Sequence, residues 1–193
     1  MAVSAVSSSL SPARHTPDSQ TSLSSRERPS LPVDVRAARL ADVPLLIGMK
    51  TQMAAAEDAA FFFDDTPARW ERDFFGPESR FLALVSELAG HPVGMAIFNE
   101  QPMAGWPSVP IYIQSIYVKP EFRRRGVGRA LMAGIIAEAQ RRRSQLVFLN
   151  VDHNNAARRL YESGGFVHAD TCLVYTLVVP QDADTPQPAP ARR

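Results

Sequence analysis

The segment Arg123-Arg124-Arg125-Gly126-Val127-Gly128-Arg129 crowds four guanidinium groups around two glycines. It follows an alternating apolar run, Ile111 to Val118, through Lys119-Pro120-Glu121-Phe122, and precedes a long apolar-striped segment. Strand, arginine-glycine turn and helix in that order build an anion cradle, because the first N–H groups of a helix lack intrahelical acceptors and point outward. Gly126 and Gly128 let backbone come close to an oxyanion, since a Cβ there would stand between amide and oxygen. The plain alternative is a tight turn needing glycine for φ alone. It leaves unexplained the arginines, whose mutual repulsion favours an anion.

Other phosphate ligands fail on particular residues. A nucleoside-triphosphate loop ends Gly-Lys-Ser/Thr, whereas Gly128 is followed by Arg129-Ala130. A dinucleotide fold needs a third glycine where Leu131 stands, in a turn after the first strand. Nucleic acid is disfavoured because no aromatic platform or recognition-helix pattern accompanies the arginines and the net charge is only +1. A pyrophosphate remains, held by backbone N–H groups from Arg124 to Arg129 with arginine side chains adding charge.

The elements that must position this turn can be read along the chain. Its 193 residues fit one domain with tails. Residues 1–32, with ten serines, read as a disordered leader, and 180–193 as a second, proline-rich disordered tail. The leader also loosely resembles an organelle transit peptide; a plain tail is the favoured reading. The folded part is expected over 33–179. Val33 to Ala38 alternates as a first strand; Asp42 can cap a helix running to about Ala56, and Pro67 opens a second, stopped by Gly76-Pro77. Arg80–Ser86 and Pro92–Asn99 read as a hairpin, and Ile111–Val118 as the fourth strand. Val127, Ala130, Leu131, Gly134, Ile135 and Glu138 fall at helical spacing, ending at Arg141-Arg142-Arg143. Leu146–Val151 is a fifth strand; Asn154 or Asn155 caps a short helix that stops at Gly164-Gly165, and Phe166–His168 and Leu173–Val178 close the sheet. The order implies a mixed sheet with helices on both faces.

Cys172 is the sole cysteine, so no intramolecular disulfide or four-cysteine metal site can form, which suits a reducing compartment such as the cytoplasm. No metal site and no membrane span are expected. Charge is segregated: Glu57 to Glu87 is acidic and Lys119 to Arg143 basic. An acidic half and a basic half can receive a cationic substrate and an anionic cofactor from opposite sides, or serve simply as two solvated faces. Phe61-Phe62-Phe63, beside acids, could line an amine pocket or close the core, the latter being favoured.

The chain resembles the GNAT superfamily of N-acetyltransferases, which use acetyl-CoA. The resemblance is carried by Tyr117-Val118-Lys119-Pro120 followed by Arg123-Arg124-Arg125-Gly126-Val127-Gly128, by Asn154, and by Leu160-Tyr161-Glu162-Ser163-Gly164-Gly165-Phe166. It implies an α/β (α+β) domain with a mixed, mostly antiparallel sheet of six to seven strands, splayed between the fourth and fifth. It further implies that the pantetheine arm enters this gap along Ile116, Tyr117 and Val118, with the Val118 amide polarising the thioester carbonyl. Residues 124–129 would take the pyrophosphate, Asn154 would bond the pantetheine region, and Tyr161 would give a proton to the departing thiolate. The non-functional readings are an N-cap for Asn154 and a packed helix aromatic for Tyr161.

The sequence departs from diamine-type relatives in carrying Gln114 where they place a fourth-strand glutamate. An amide cannot act as base, so Gln114 would orient water or substrate, leaving Glu100 as the nearest alternative carboxylate, with Glu57 and Asp152 behind it. The expected acceptor is a primary amine of a small molecule, amino acid or peptide, near Tyr112, Trp106 and Tyr175. A homodimer through the sheet edges is compatible. The competing class is a catalytically silent CoA-binding sensor or partner module, for which the missing glutamate is the argument.

Overall fold

The structure, a computed structural model, describes residues 32–56 and 66–169. Five strands form one sheet in chain order: β1 (Val33–Ala37), β2 (Leu82–Leu88), β3 (His91–Glu100), β4 (Ile111–Val118) and β5 (Val147–Leu149). The first four are mutually antiparallel, and β5 lies parallel to β4. A 3-10 turn (Leu40–Asp42), α1 (Val43–Ala56) and α2 (Pro67–Phe75) fall between β1 and β2. Helix α3 (Val127–Arg141) connects β4 to β5, and α4 (Arg158–Ser163) follows β5.

Local chemistry accounts for these boundaries. Ala89 and Gly90, with φ of 51° and 77°, join β2 to β3, the two left-handed residues whose twist suits a tight hairpin. Pro67 opens α2 without losing a needed N–H, and the Gly76 N–H closes it on the Arg72 carbonyl at 3.1 Å. Asp42 does not cap α1. Its carboxylate accepts the Arg39 N–H and an Arg36 N–H, each at 2.7 Å, and so closes the preceding 3-10 turn.

Two apolar layers sandwich the sheet. On one face Val127, Leu131, Met132, Ile135 and Ala139 of α3 pack on Val93, Ala96, Phe98, Ile111 and Ile113. On the other, Val43, Leu46 and Met49 of α1 and Trp70 of α2 cover Val85, Met95, Ile97 and Tyr117. Full burial of each such aliphatic or aromatic side chain contributes about 1.5–3 kcal/mol. Gly134 brings α3 down onto the sheet, since a Cβ there would lie 2.9 Å from Leu84 Cδ1 and 3.1 Å from Val35 Cγ1.

The mixed sheet covered on both faces matches the expectation; the strand count differs. Among the described residues there are five strands. Phe166–His168 forms no strand: the Phe166 N–H turns back to the Tyr161 carbonyl at 3.1 Å, and Val167 is 92% exposed. Strand β5 spans only Val147–Leu149, the length over which β4 lies beside it. The final strand expected over Leu173–Val178 lies outside the described residues, with Cys172 and Tyr175. So do residues 1–31, the segment 57–65 with its three phenylalanines, and the tail 180–193.

Candidate active site

Strands β4 and β5 run together only from the Ile111↔Val147 pair to the Ile113↔Leu149 pair. Beyond that point β4 continues from Gln114 to Val118 with no strand on its β5 side among the described residues. A bulge marks the parting: Phe98 faces Ile113 and Ile97 faces Ser115, leaving Gln114 unpaired. The side-chain alternation slips there, as a bulge requires. Ile111 and Ile113, then Ile116 and Val118, pack in the α3 cluster. Ser115 instead accepts a 2.6 Å hydrogen bond from Lys50 Nζ of α1. Tyr117 turns the same way, buried, its hydroxyl donating to Gln52 Oε1 at 3.1 Å, and burial pushes this phenol's pKa up.

The open part of β4 leads to the arginine-glycine turn. Arg124 and Gly126 are left-handed, with φ of 62° and 82°. Left-handed backbone at a non-glycine residue costs roughly 1–2 kcal/mol, and such alternation aims successive N–H groups into one concavity. Among the described residues, no acceptor takes the backbone N–H groups of 124–129; the first such bond of α3 runs from Ala130 to the Gly126 carbonyl at 3.0 Å. Gly126 precedes α3 without a side-chain cap, so the positive end of the helix dipole faces outward. A Cβ at Gly126 would meet nothing within 4 Å. A turn with open space and orphan donors fits a pyrophosphate.

The arginines divide their work. Arg123 Nε donates to the Val118 carbonyl at 3.1 Å, tying the turn to the end of β4. Arg125 lies over the Phe122 ring, 5.5 Å from its centroid. Arg124 and Arg129 are exposed.

Helix α4 packs onto the start of α3. A Cβ at Gly128 would stand 3.1 Å from Leu160 Cδ2, so this glycine admits the close packing of α4, whereas the space around Gly126 is open. Tyr161, next to Leu160, is half-buried against the α3 cluster, its ring 6.1 Å from that of Phe166. Asn154 does not cap α4. Asn155 Oδ1 accepts the Ala157 N–H at 2.8 Å, while the exposed side chain of Asn154 has no hydrogen-bond partner among the described residues.

At the other end of β4, a cleft of about 630 Å³ is lined by Phe81, Asn99, Glu100, Val109, Gln114 and Arg142 among others. Glu100 lies 3.3 Å from Arg142 of the segment after α3, and Arg142 also bonds Glu138 at 2.6 Å. Arg141 first and Arg142 second hold the Glu138 carboxyl below its ordinary range. Gln114 Nε2 donates to Asn99 Oδ1 at 2.9 Å. Tyr112 is half-buried, its ring 5.0 Å from that of Phe148, whereas Trp106 is half-exposed. Asn99 had no signal in the sequence, because only the antiparallel register brings it to Gln114. Among the described residues, no cluster of histidine, cysteine or carboxylate groups could hold a metal ion, and no helix is long and apolar enough to cross a membrane.

A parallel strand pair that parts beside a bulge opens a gap in the sheet along β4, and a nest of backbone donors lies at its far end. The family profile described as acetyltransferase (GNAT) matches residues 50–166, and the chain belongs to that family, whose co-substrate is acetyl-CoA. It is similar to the mycothiol acetyltransferase of Thermobispora bispora, at 34% identity over 62% of this chain and 40% of that protein. It is also similar to the N-alpha-acetyltransferase RimI of Mycobacterium tuberculosis, at 30% identity over 74% of this chain and 90% of that one. The structure of a predicted acetyltransferase with acetyl-CoA from Clostridium acetobutylicum superposes with a TM-score of 0.63 at 17% identity, over 75% of this chain and 96% of that one. The chain spans less than half the length of the mycothiol acetyltransferases it matches.

Proposed function

We propose that the chain transfers the acetyl group of acetyl-CoA directly to a primary amine of a small molecule, amino acid or peptide. The observation that carries this is the continuity of the open stretch Gln114–Val118 with the unpartnered N–H groups of 124–129. In this reading residues 123–129 bind the pyrophosphate, Ile116, Tyr117 and Val118 contribute backbone to the pantetheine arm, and Asn154 bonds that arm from the other side. The co-substrate supplies an acetyl thioester. As the amine nitrogen bonds the acetyl carbon and the carbon–sulfur bond breaks, the Val118 N–H stabilises the carbonyl oxygen and Tyr161 protonates the sulfur. Glu100 takes the amine's proton through water, and Gln114 orients the nucleophile.

The relatives are named as acetyltransferases, and one of them as an N-alpha-acetyltransferase, which supports transfer to an amine nitrogen. They favour an active enzyme over a silent module. The protein is proposed to work in the cytoplasm without nucleic acid or membrane, with a homodimer as a possible assembly. The test is calorimetric titration with acetyl-CoA, then thiol release against an amine panel. Loss of acetyl-CoA binding in a folded protein would refute the assignment; binding without thiol release would favour the silent module.

A further inference from the structure

We propose that Asn99 is a positioning residue: it fixes the Gln114 amide so that Gln114 Oε1 faces the cleft and accepts a hydrogen bond from the acceptor amine. This rests on the acetyl-transfer reading above. The argument begins at a backbone carbonyl whose polarity cannot change. Asn99 Nδ2 donates to the Glu100 carbonyl oxygen at 2.9 Å and, at 3.4 Å, approaches Gln101 Oε1. Reversing the Asn99 amide would set Oδ1 against the Glu100 carbonyl, acceptor against acceptor. Asn99 Oδ1 therefore faces Gln114, and only Gln114 Nε2 can satisfy it, as the 2.9 Å contact shows. Gln114 Oε1 is left as an acceptor with no partner among the described residues.

The place of Gln114 gives this orientation its use. It is the unpaired residue of the β4 bulge and the first residue beyond the last β4–β5 pair. It also lines the cleft of about 630 Å³ at the end of β4 away from the anion nest. An amine entering from the cleft meets Gln114 where the gap between β4 and β5 begins. An oxygen there receives one N–H and so restricts the direction of the nitrogen lone pair. An inverted amide would present N–H donors, which repel an ammonium and occupy the lone pair of a neutral amine. Glu100, in the same cleft, supplies negative charge that draws a cation inward.

The test uses Asn99→Leu, which releases the Gln114 amide, alone and combined with Gln114→Met. Initial rates are measured with L-lysine, spermidine and a short peptide with N-terminal alanine, using whichever the parent acetylates fastest. Asn99→Leu is expected to lower kcat/KM for the amine roughly five- to tenfold, the scale of one hydrogen bond, with acetyl-CoA affinity unchanged. In a Gln114→Met background Asn99→Leu should add no further loss. The inference is overturned if Asn99→Leu matches the parent, if it weakens acetyl-CoA binding as much as it lowers kcat/KM, or if the Asn99 and Gln114 losses simply add. A parent that binds acetyl-CoA and acetylates none of the amines overturns instead the underlying acetyl-transfer reading, and this inference with it.

Discussion

Leu160 of α4 stands over the bare Cα of Gly128: a Cβ at position 128 would lie 3.1 Å from Leu160 Cδ2 and 3.7 Å from Cδ1. Gly126, two residues earlier, has open space around it and a φ of 82°. The two glycines of one motif answer to different constraints, and their substitutions should fail differently. Gly126→Ala puts a Cβ on left-handed backbone and is expected to cost about 1 kcal/mol, seen as a fall of roughly 2–4 °C in Tm, with weaker acetyl-CoA binding. Gly128→Ala asks only that a leucine tip give way and gains helix propensity, so Tm should change little. Gly128→Leu should displace α4 and, with Tyr161 adjacent, lower kcat at least about tenfold. Thermal melts and steady-state kinetics on the three variants check the contrast.

That distinction could not be read along the chain, since nothing in the spacing of residues 126 and 128 shows that residue 160 will seat on the second glycine. Strand β4 was legible to the residue because Ile111 to Val118 alternates between two buried faces. The bulge within it was less so: Ile113 and Ile116 share a face only because Gln114 is skipped, and an alternating reading conceals the slip. Phe166–His168 looked like a strand from β-branched and aromatic content, yet strand formation needs a partner, and among the described residues Val167 pairs with no strand and is 92% exposed. The arginine-glycine turn was legible in kind because orphan N–H groups follow from a helix start alone. The Asn99–Gln114 pair, made by cross-strand register, was not.

Tyr161→Phe separates proton donation from packing. The ring contacts Phe166 and the α3 cluster, and phenylalanine keeps that surface. Acetyl-CoA affinity should hold while kcat falls by about a hundredfold or more, the usual worth of a general acid. Single-turnover thiol release, compared with the calorimetric Kd, reads the two effects apart; equal turnover would return Tyr161 to a packing role.

Acid stability should depend on the ion cluster at the β1 end. Arg36 joins Asp42 at 2.7 Å and Glu87 at 2.8 Å. The Arg36 hydrogen bond first, and the Arg39 N–H after it, hold the Asp42 carboxyl below its ordinary range, while Asp42 and Glu87 raise that of the guanidinium. A carboxyl whose folded pKa is lowered stabilises the fold above its unfolded value, about 4, and that contribution is lost as pH falls through the folded value. Asp42→Asn should therefore be less stable at pH 7, by roughly 1.5–3 kcal/mol for a charged hydrogen bond. Its deficit relative to the parent should shrink below about pH 4. Urea unfolding at pH 7, 5 and 3 measures the closing gap.

Glu100 and Gln114 line the same cleft but can be told apart by pH, because only one of them titrates. If Glu100 takes the amine's proton, its ionised form is the active one, and kcat/KM falls on the acid side as it becomes protonated. Glu100→Gln should lower kcat/KM on the plateau and flatten that acid limb. Gln114→Met removes an orienting contact that does not ionise, so kcat/KM should fall by a similar factor at every pH and the limb should stay where it was. A limb that stays put in Glu100→Gln, in the pH dependence of initial rates at low amine concentration, would assign the proton to water or to another group.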